Sequence, residues 1–450
     1  ATKYKVIQSN WQTNVPFTNP KFDTIYYYSA TATKDGATGN TAKSDEFLIY
    51  KVKQFDVLSK IANYYGVPLS QISFDNRVQD MLLVENNTII IRNPTKNGNR
   101  PYNPEPLTDA DKRKIDSLLV GRGKHCEFGF EPINLNTGNF YMNQTDVSIP
   151  DYNGDFSIER TYNSKTAGYN SIFGRGWQFA YSESLSKTSN GEYVYSRGDG
   201  SALYFEPDGK GGYSCPAGYY MEFTPVKVAT KEGDFGGDEL ESYDVYEYEI
   251  KDASGTIKRF NYMGLLVKIT DSKGFVTTLT YDDNYNLSAI KSPAGTTYAL
   301  SYTADGYVNA ITMPNGKQLT YAYDENNNLV SFTDGAGNKT TYAYDEKHQM
   351  TSWSDGNGDV VNANVYDDEG RVIKQTDGNG NVTTLLYEAN MTTTTDANGN
   401  VTVYHYDDNY RTTKIVYADG STEENIYDSG NNLAAVIDRN CNRTEYTYDA

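Results

Sequence analysis

From Phe260 onward an aromatic residue, usually Tyr followed by Asp, returns at a nearly constant spacing. The anchors are Phe260, Tyr281, Tyr302, Tyr323, Tyr344, Tyr366, Tyr387, Tyr406, Tyr427 and Tyr448, with steps of 21, 21, 21, 21, 22, 21, 19, 21 and 21 residues. A period this steady constrains the fold more than any composition value, because each repeat is one supersecondary unit that buries its apolar face only by stacking on its neighbours. One period reads Asn328-Leu329-Val330-Ser331-Phe332-Thr333, then Asp334-Gly335-Ala336-Gly337-Asn338, then Lys339-Thr340-Thr341-Tyr342-Ala343-Tyr344-Asp345. Branched and aromatic side chains fill the outer segments and suit a pleated surface, while Gly and Asn in the middle tolerate positive φ. Thr340, Tyr342 and Tyr344 alternate with Thr341 and Ala343, which puts the large rings on one face. Each unit is therefore predicted to be a β-hairpin.

A lone hairpin is marginal in water, so these units must pair edge to edge and cover their Tyr face, which predicts one long, curling sheet. Tandem units of about 21 residues with a Gly-Asn turn and a closing Tyr-Asp resemble the YD repeats of the Rhs family. That family includes wall-associated proteins, insecticidal toxin-complex C components and teneurins. The resemblance implies a fold that is mainly β, with the repeats coiled into a hollow shell.

The 450 residues carry 41 Tyr, whose rings pack while their hydroxyls stay hydrated, and this suits a sheet with one face near solvent or a water-filled lumen. A formal charge of −19 without any basic tract argues against nucleic acid as a partner. No apolar run is long enough to span a membrane, and no charged-then-apolar leader opens the chain. Cys126, Cys215 and Cys441 are too few and too scattered for a disulfide framework, so solitary thiols are expected; a Cys126 to Cys215 bridge is the alternative.

Upstream of the repeats the chain divides into segments. Residues 1–44 read as strands around a Lys34-Asp35-Gly36 turn, and Pro20, Thr24 and Tyr26 resemble the closing strands of a fibronectin type III module. Half a sandwich cannot stand alone, so either a larger protein completes it or these strands pair elsewhere. Residues 45–93 give the order strand, helix, helix, strand. Tyr50-Lys51-Val52-Lys53 is the first strand; Leu58, Ile61, Ala62 and Tyr65 have helical spacing; Gly66 stops that helix; Pro68 to Ile72 starts a second turn; and Thr88 to Ile91 closes. This small α+β (βααβ) arrangement resembles LysM, a module that binds N-acetylglucosamine glycans such as peptidoglycan. The resemblance implies a glycan groove lined by Gln54, Phe55, Asp56, Val57, Asn76, Leu83, Val84, Asn86 and Asn87. The sequence departs from the family at Phe55-Asp56-Val57 and Glu85-Asn86-Asn87, where Phe55 either stacks on a sugar ring or blocks the groove.

Residues 94–124 are a Pro- and Asn-rich linker followed by a short helix that Thr108 caps. Residues 125–250 carry Asn134-Leu135-Asn136-Thr137-Gly138-Asn139-Phe140, Arg160-Thr161-Tyr162-Asn163-Ser164, Phe173-Gly174-Arg175-Gly176-Trp177 and Asp199-Gly200-Ser201. In this order the strings resemble the domain that opens the shell in bacterial Rhs proteins, and Arg160 and Arg175 are expected to pair with carboxylates or carbonyls in the sheet. The stretch 218–250 reads as more irregular and acidic but holds strands such as Tyr243-Asp244-Val245-Tyr246-Glu247-Tyr248, with the repeats filling 251–450.

Chemistry is sparse. Of the three His residues, His125 adjoins Cys126, and neighbours on a strand point to opposite faces, so they do not form a nucleophile pair. His348 and His405 lie beside repeat anchors. No metal-ligand spacing, nucleotide loop or hydrolase elbow occurs, and Asp-Gly-Asn-Gly strings are explained by hairpin turns rather than by an EF-hand. Where Gly recurs in the turn, Cys441 takes its place, so either the turn is strained there or its shape differs.

The expected function is therefore non-enzymatic, with no catalytic residue, cofactor or metal. A LysM module would tether a secreted or cell-surface scaffold to peptidoglycan, and the repeats would enclose or present a C-terminal toxin cargo lying outside this chain. A carbohydrate-binding adhesin and a LysM-targeted wall hydrolase are the alternatives.

Overall fold

The structure is a computed structural model. It describes residues 22, 25–26, 29–34, 37–43, 46–52, 58–67, 72, 88–95, 120–121, 128–129, 132–188, 191–233, 241–407 and 409–448.

Its dominant element is a single antiparallel sheet of 21 strands, from Met221–Gly233 to Arg443–Glu445, in which every strand pairs with the next in sequence. Both kinds of turn in the repeat are built alike. Asp334 opens one: its Oδ1 accepts the backbone N–H groups of Ala336 (2.8 Å) and Asn338 (2.9 Å), and its Oδ2 accepts Nδ2 of Asn338 (2.8 Å). The Gly337 N–H returns to the Asp334 carbonyl at 3.0 Å, with Gly337 at φ +95°. This is a three-residue loop whose last position is left-handed. Asp324 repeats the pattern at the other edge, where Asn327 takes the left-handed position at φ +66°. Cys441 adopts φ +64° in an otherwise unchanged turn, its N–H bonded to the Asp438 carbonyl at 2.9 Å, so the Gly-to-Cys exchange is accommodated by backbone strain.

The anchor aromatics have a second role. The register slips beside them, between Ser301 and Tyr302, Ala322 and Tyr323, and Ala343 and Tyr344. A bulge leaves a backbone group out of the ladder and increases the local twist. The anchor of the following repeat caps the carbonyl at that point: Tyr302 donates to Leu287 (2.7 Å), Tyr323 to Val308 (2.8 Å), Tyr344 to Leu329 (2.8 Å) and Tyr387 to Val372 (2.7 Å). Burial pushes the hydroxyls of Tyr281, Tyr302, Tyr323 and Tyr387 well above the usual phenol range. The irregular spacings also have local causes. The step of 22 follows from a further slip between Trp353 and Ser354. The step of 19 follows from a two-residue loop between Glu388 and Met391, with regular pairing at Tyr387.

Two expectations change. In the stretch 218–250 the expected strand at Tyr243 to Tyr248 forms as part of Glu241–Asp252, and it pairs with Met221–Gly233 in the longest hairpin of the sheet, which therefore starts ahead of the repeats. The inner face is not simply an open lumen either. One continuous apolar core joins Phe140, Phe156, Tyr162, Trp177 and Phe179 of the preceding domain to Tyr298, Tyr321, Phe332, Tyr342 and Met350 of the sheet. The axis of that domain is the hairpin Tyr141–Asp151 with Gly154–Asn163, extended by Trp177–Phe179. Its tip crosses to the far edge, where Asn153 hydrogen-bonds both Asp271 and Lys273, and Tyr152 packs on Phe275.

Near the N-terminus, Phe47–Lys51 pairs with Thr88–Arg92, and the helix Leu58–Tyr65 lies between them in sequence. Leu48, Tyr50, Ile61, Tyr65, Ile72, Ile89 and Ile91 are buried together. The hairpin Ser29–Lys34 with Ala37–Lys43 forms as predicted, but Ile25–Tyr26 pairs with Phe47 and Leu48 rather than within a separate sandwich. Most of the second helical turn, the linker and the Thr108 helix lie outside the described residues.

Candidate functional site

The predicted glycan-contact residues Gln54, Phe55, Asp56, Val57, Asn76, Leu83, Val84, Asn86 and Asn87 lie outside the described residues, as do His125 and Cys126. Cys215 is a free thiol whose pKa burial pushes up to about 11. Among the described residues no group of three or more His, Cys, Asp and Glu side chains is placed to hold a metal ion. What the structure does build is a junction between the opening domain and the inner wall of the sheet.

At its centre is Arg160, completely buried. Its Nε and Nη2 bond the two oxygens of Asp146 at 2.6 and 2.7 Å, and neither side chain reaches solvent. Both residues belong to the opening hairpin; the bulge between Thr145 and Val147 sets Asp146 opposite the guanidinium. The wall supplies the rest: Tyr321 donates its hydroxyl to Asp146 (2.7 Å), and Arg160 Nη2 reaches the Tyr342 hydroxyl (3.4 Å). Nη1 makes no hydrogen bond, and the guanidinium is enclosed by the rings of Trp177 (4.5 Å), Tyr321 (5.1 Å), Phe332 (5.1 Å) and Phe173 (5.7 Å). Burial, the largest single influence, would depress the guanidinium pKa, but the Asp146 charge, the neighbouring Tyr342 and Tyr321 hydroxyls and the hydrogen bonds to Asp146 together hold the value well above the ordinary one.

Around this pair the opening domain contacts the Tyr-Asp turns one after another. Leu185 N–H bonds the Gly264 carbonyl (2.8 Å), Val308 N–H bonds Ile172 (2.8 Å), and Arg175 N–H bonds Asn327 (3.2 Å). Tyr162 donates to the His348 carbonyl (3.0 Å) and accepts from Met350 N–H (2.8 Å). Val372 N–H bonds Gly138 (3.0 Å), Thr392 donates to Leu135 (2.7 Å), and Asn136 donates to Tyr410 (2.6 Å). Val308, Met350 and Val372 are equivalent positions, each opposite an anchor Tyr at its bulge. The bulge thus presents the wall's N–H to the opening domain and the carbonyl of the same residue to the next anchor.

This explains the glycines in the opening strings. A Cβ on Gly138 would lie 2.4 Å from Arg371 Cβ, and one on Gly174 would lie 2.5 Å from the Asn327 carbonyl. Arg175 pairs as expected with carbonyls, its Nε on Asn326 (3.2 Å) and Nη1 on Gly168 (2.9 Å).

Comparison with known families bears on this architecture. Residues 238–383 match the family model described as teneurin YD-shell, and residues 390–422 match RHS repeat. The wall is an RHS/YD-repeat sheet. Residues 130–205, the domain held inside that YD wall, match a domain of unknown function, DUF6531.

Among curated proteins, tRNA nuclease WapA of Bacillus subtilis (strain 168) is 29% identical over 157 residues, or 35% of this chain. The tRNA(Glu)-specific nuclease WapA of Bacillus subtilis subsp. natto matches to the same extent. The chain spans about 6% of the length of these relatives. Among solved structures, TcdB2-TccC3 aligns at TM-score 0.30 and 12% identity over 66% of this chain and 20% of that one. A TcdB2-TccC3-TEV structure aligns at 0.32 and 10% over 90% and 23%, and a Photorhabdus luminescens Tc holotoxin pore at 0.23 and 10% over 66% and 22%.

Sequence reading missed the contact between the small N-terminal module and the YD wall. Met263, at the tip of a wall turn, is 2% exposed because it packs into the module's core, with Tyr262, Leu265 and Tyr285 around it. The signal was legible in Asn261-Tyr262-Met263-Gly264, which has apolar side chains where the corresponding turn at 324–328 has Glu325 and Asn326. Asp146 was missed for a different reason: it sits 14 residues from Arg160 and meets it only through strand register.

Proposed function

We propose that this chain is a non-enzymatic scaffold: the base of an RHS/YD-repeat shell, tethered to peptidoglycan and enclosing or presenting a C-terminal toxin beyond it. The observation that carries the reading is the run of contacts from Gly264 to Tyr410 by which successive wall turns grip the opening domain. Such a sheet is curved around contents and does not lie flat. The strand, helix and strand at residues 47–92 support a LysM module, and its seat on Met263 would hold it fixed against the wall. Among the described residues no helix is long and apolar enough to cross a membrane. Secretion to the cell surface is the compartment this reading requires. The nuclease activity named for the WapA relatives supports a toxic cargo and is assigned here to no residue of this chain.

The adhesin alternative needs outward-facing Tyr platforms, whereas the anchors of the wall turn inward and bond carbonyls. The test is sedimentation of the full chain with insoluble peptidoglycan, beside a variant with Gln54, Phe55, Asp56 and Val57 replaced by Ala. Co-sedimentation of the parent and its loss in the variant is the expected result. A parent that stays in the supernatant removes the tether, and release of soluble glycan fragments removes the non-enzymatic reading. An extended, flat particle in solution scattering would remove the shell.

A further inference from the structure

The geometry points to a covalent cross-link: an isopeptide bond between Lys273 of the wall and Asn153 at the tip of the opening hairpin, formed with release of ammonia. Lys273 Nζ donates to Asn153 Oδ1 at 2.6 Å, and Asn153 Nδ2 donates to Asp271 Oδ2. An amine thus stands on the oxygen of a carboxamide whose nitrogen stands on a carboxylate. Other lysines have other partners: Lys227, Lys258 and Lys414 meet carboxylates, and Lys347 meets a backbone carbonyl.

The wall turn that supplies these groups departs from its repeat at two positions. In the turns at 334–338, 377–381, 396–400 and 438–442 the fifth residue is Asn, and its Nδ2 occupies Oδ2 of the opening Asp. In Asp271-Ser272-Lys273-Gly274-Phe275 the fifth residue is Phe. Asp271 Oδ1 still accepts the N–H groups of Lys273 (2.9 Å) and Phe275 (2.8 Å), so the turn keeps its shape while Oδ2 is released to Asn153. Phe275 packs instead on Tyr152, with ring centroids 5.8 Å apart. The third residue is Ala336, Asn379, Asn398 or Asn440 in those turns and Lys273 here. On the facing side Asp151 pairs with Gly154 across the two-residue turn Tyr152-Asn153, and Tyr152 N–H bonds Asp151 Oδ1 at 2.6 Å, which fixes the backbone that carries the amide. Two groups held in contact by rigid turns react as one molecule, which removes most of the entropic barrier of a bimolecular encounter.

The step balances without an oxidant or a co-reactant. Lys273 gives its extra proton to water, and the neutral amine moves from Oδ1 to attack Cγ of Asn153. The Nζ–Cγ bond forms, the carbonyl electron pair moves onto Oδ1, and it returns as the Cγ–Nδ2 bond breaks. Once Nζ is on Cγ the two nitrogens share one carbon, so the Asp271 carboxylate on one lies beside the other. Asp271 takes the proton that Nζ sheds and delivers it to Nδ2, which leaves as ammonia. Asn153 and Lys273 are exposed, so the ammonia escapes directly to solvent. The product closes a covalent loop between residues 120 positions apart and fastens the tip of the opening hairpin to the first repeat.

The test is mass spectrometry of the folded full chain, intact and after digestion with trypsin. The expected parent is lighter than its sequence by one ammonia and yields a branched peptide that joins Asn153 to Lys273. Lys273→Arg keeps a cation on Oδ1 and is expected to retain the full mass, and Asp271→Ala is expected to slow bond formation by at least about a hundredfold. Asn153-Gly154 offers a competing reaction in which the Gly154 nitrogen displaces the same ammonia; that succinimide gives no branched peptide and persists in Lys273→Arg. A parent at its full sequence mass, or an ammonia loss that Lys273→Arg leaves unchanged, overturns the inference. Because the branched peptide is read in the parent, the result does not depend on how a variant folds. On a denaturing gel the looped parent is expected to run ahead of Lys273→Arg, and equal mobility would likewise overturn the cross-link.

Discussion

Replacing Arg160 by Met tests how the opening domain is held. The substitution keeps an apolar stem among Trp177, Tyr321 and Phe332 but removes two short bonds to Asp146 and leaves that carboxylate with the Tyr321 hydroxyl and no solvent. Breaking one partner of a fully buried pair costs about 3–5 kcal/mol, chiefly because the remaining charge is stranded. For a unit of this size that corresponds to a fall in Tm of roughly 5–10 °C. Changing both residues, Arg160→Met with Asp146→Leu, removes the stranded charge, and such replacements are often neutral or better, so the double variant is expected to recover most of the loss. Calorimetry gives the stabilities, and Trp177 fluorescence reports whether the junction stays packed. A single variant within about 1 kcal/mol of the parent, or a double variant as unstable as the single, would refute the view that the pair is costly to break and cheap to replace.

Other outcomes follow from the turns and the hydroxyl ladder. Tyr281→Phe removes the bond to the Leu266 carbonyl (2.6 Å) and is expected to cost about 1–2 kcal/mol in denaturant unfolding, since a buried acceptor is left unpaired. Gly174→Ala combines φ +87° with a Cβ 2.5 Å from Asn327 O, and should cost more than 2 kcal/mol; Gly399→Ala, with φ +82° and open space, should cost only about 1 kcal/mol. Equal costs would show that the close approach is unimportant. Asp377, Asp396 and Asp438 are held below the ordinary carboxylate range by the side-chain amides of Asn381, Asn400 and Asn442 and then by backbone N–H groups. Their folded-state values are lower than the unfolded ones, so their contribution is present in full above the ordinary carboxylate range and is lost as pH falls through and below it. Thermal midpoints should drop across that acid window, and replacing these three residues by Asn should flatten the drop; an unaltered slope would count against the turns as its source.

The wall could be read in advance because its information is local and repeated. Asp334 to Asn338 states its own turn chemistry, and Thr340 to Tyr344 states its own face. The opening strings were legible as motifs but not as contacts: Gly138 and Gly174 are glycines because of Arg371 and Asn327, more than 150 residues away. Arg160 announced that it needed an acceptor, yet only the pairing of two long strands brings Asp146 to it. Of the long hairpin at 221–252 the strand at Tyr243 to Tyr248 was legible, but its partner Met221–Gly233 was not, because Lys227, Val228 and Thr230 are all exposed and leave no apolar alternation to read. The seat of the N-terminal module on Met263 joins two regions that share no sequence signal beyond misplaced apolar residues.

The hydroxyl ladder also gives the wall a direction in time. Most anchors look back fifteen residues to a carbonyl that the preceding anchor's bulge exposes, as Tyr344 does to Leu329 and Tyr448 to Leu433, while Tyr366 looks back sixteen to Met350. A hairpin is therefore finished only by its successor, and each one laid down offers a docking point to the next. The domain that the turns grip is synthesised before any of them, so a chain emerging from the ribosome meets its mould first and can add hairpins in order. Pulse-labelled amide protection during synthesis should then advance from Phe260 toward Tyr448; protection that arises at all repeats together would contradict this order. On that account growth is vectorial, as in a course of bricks where each row carries the key for the row above.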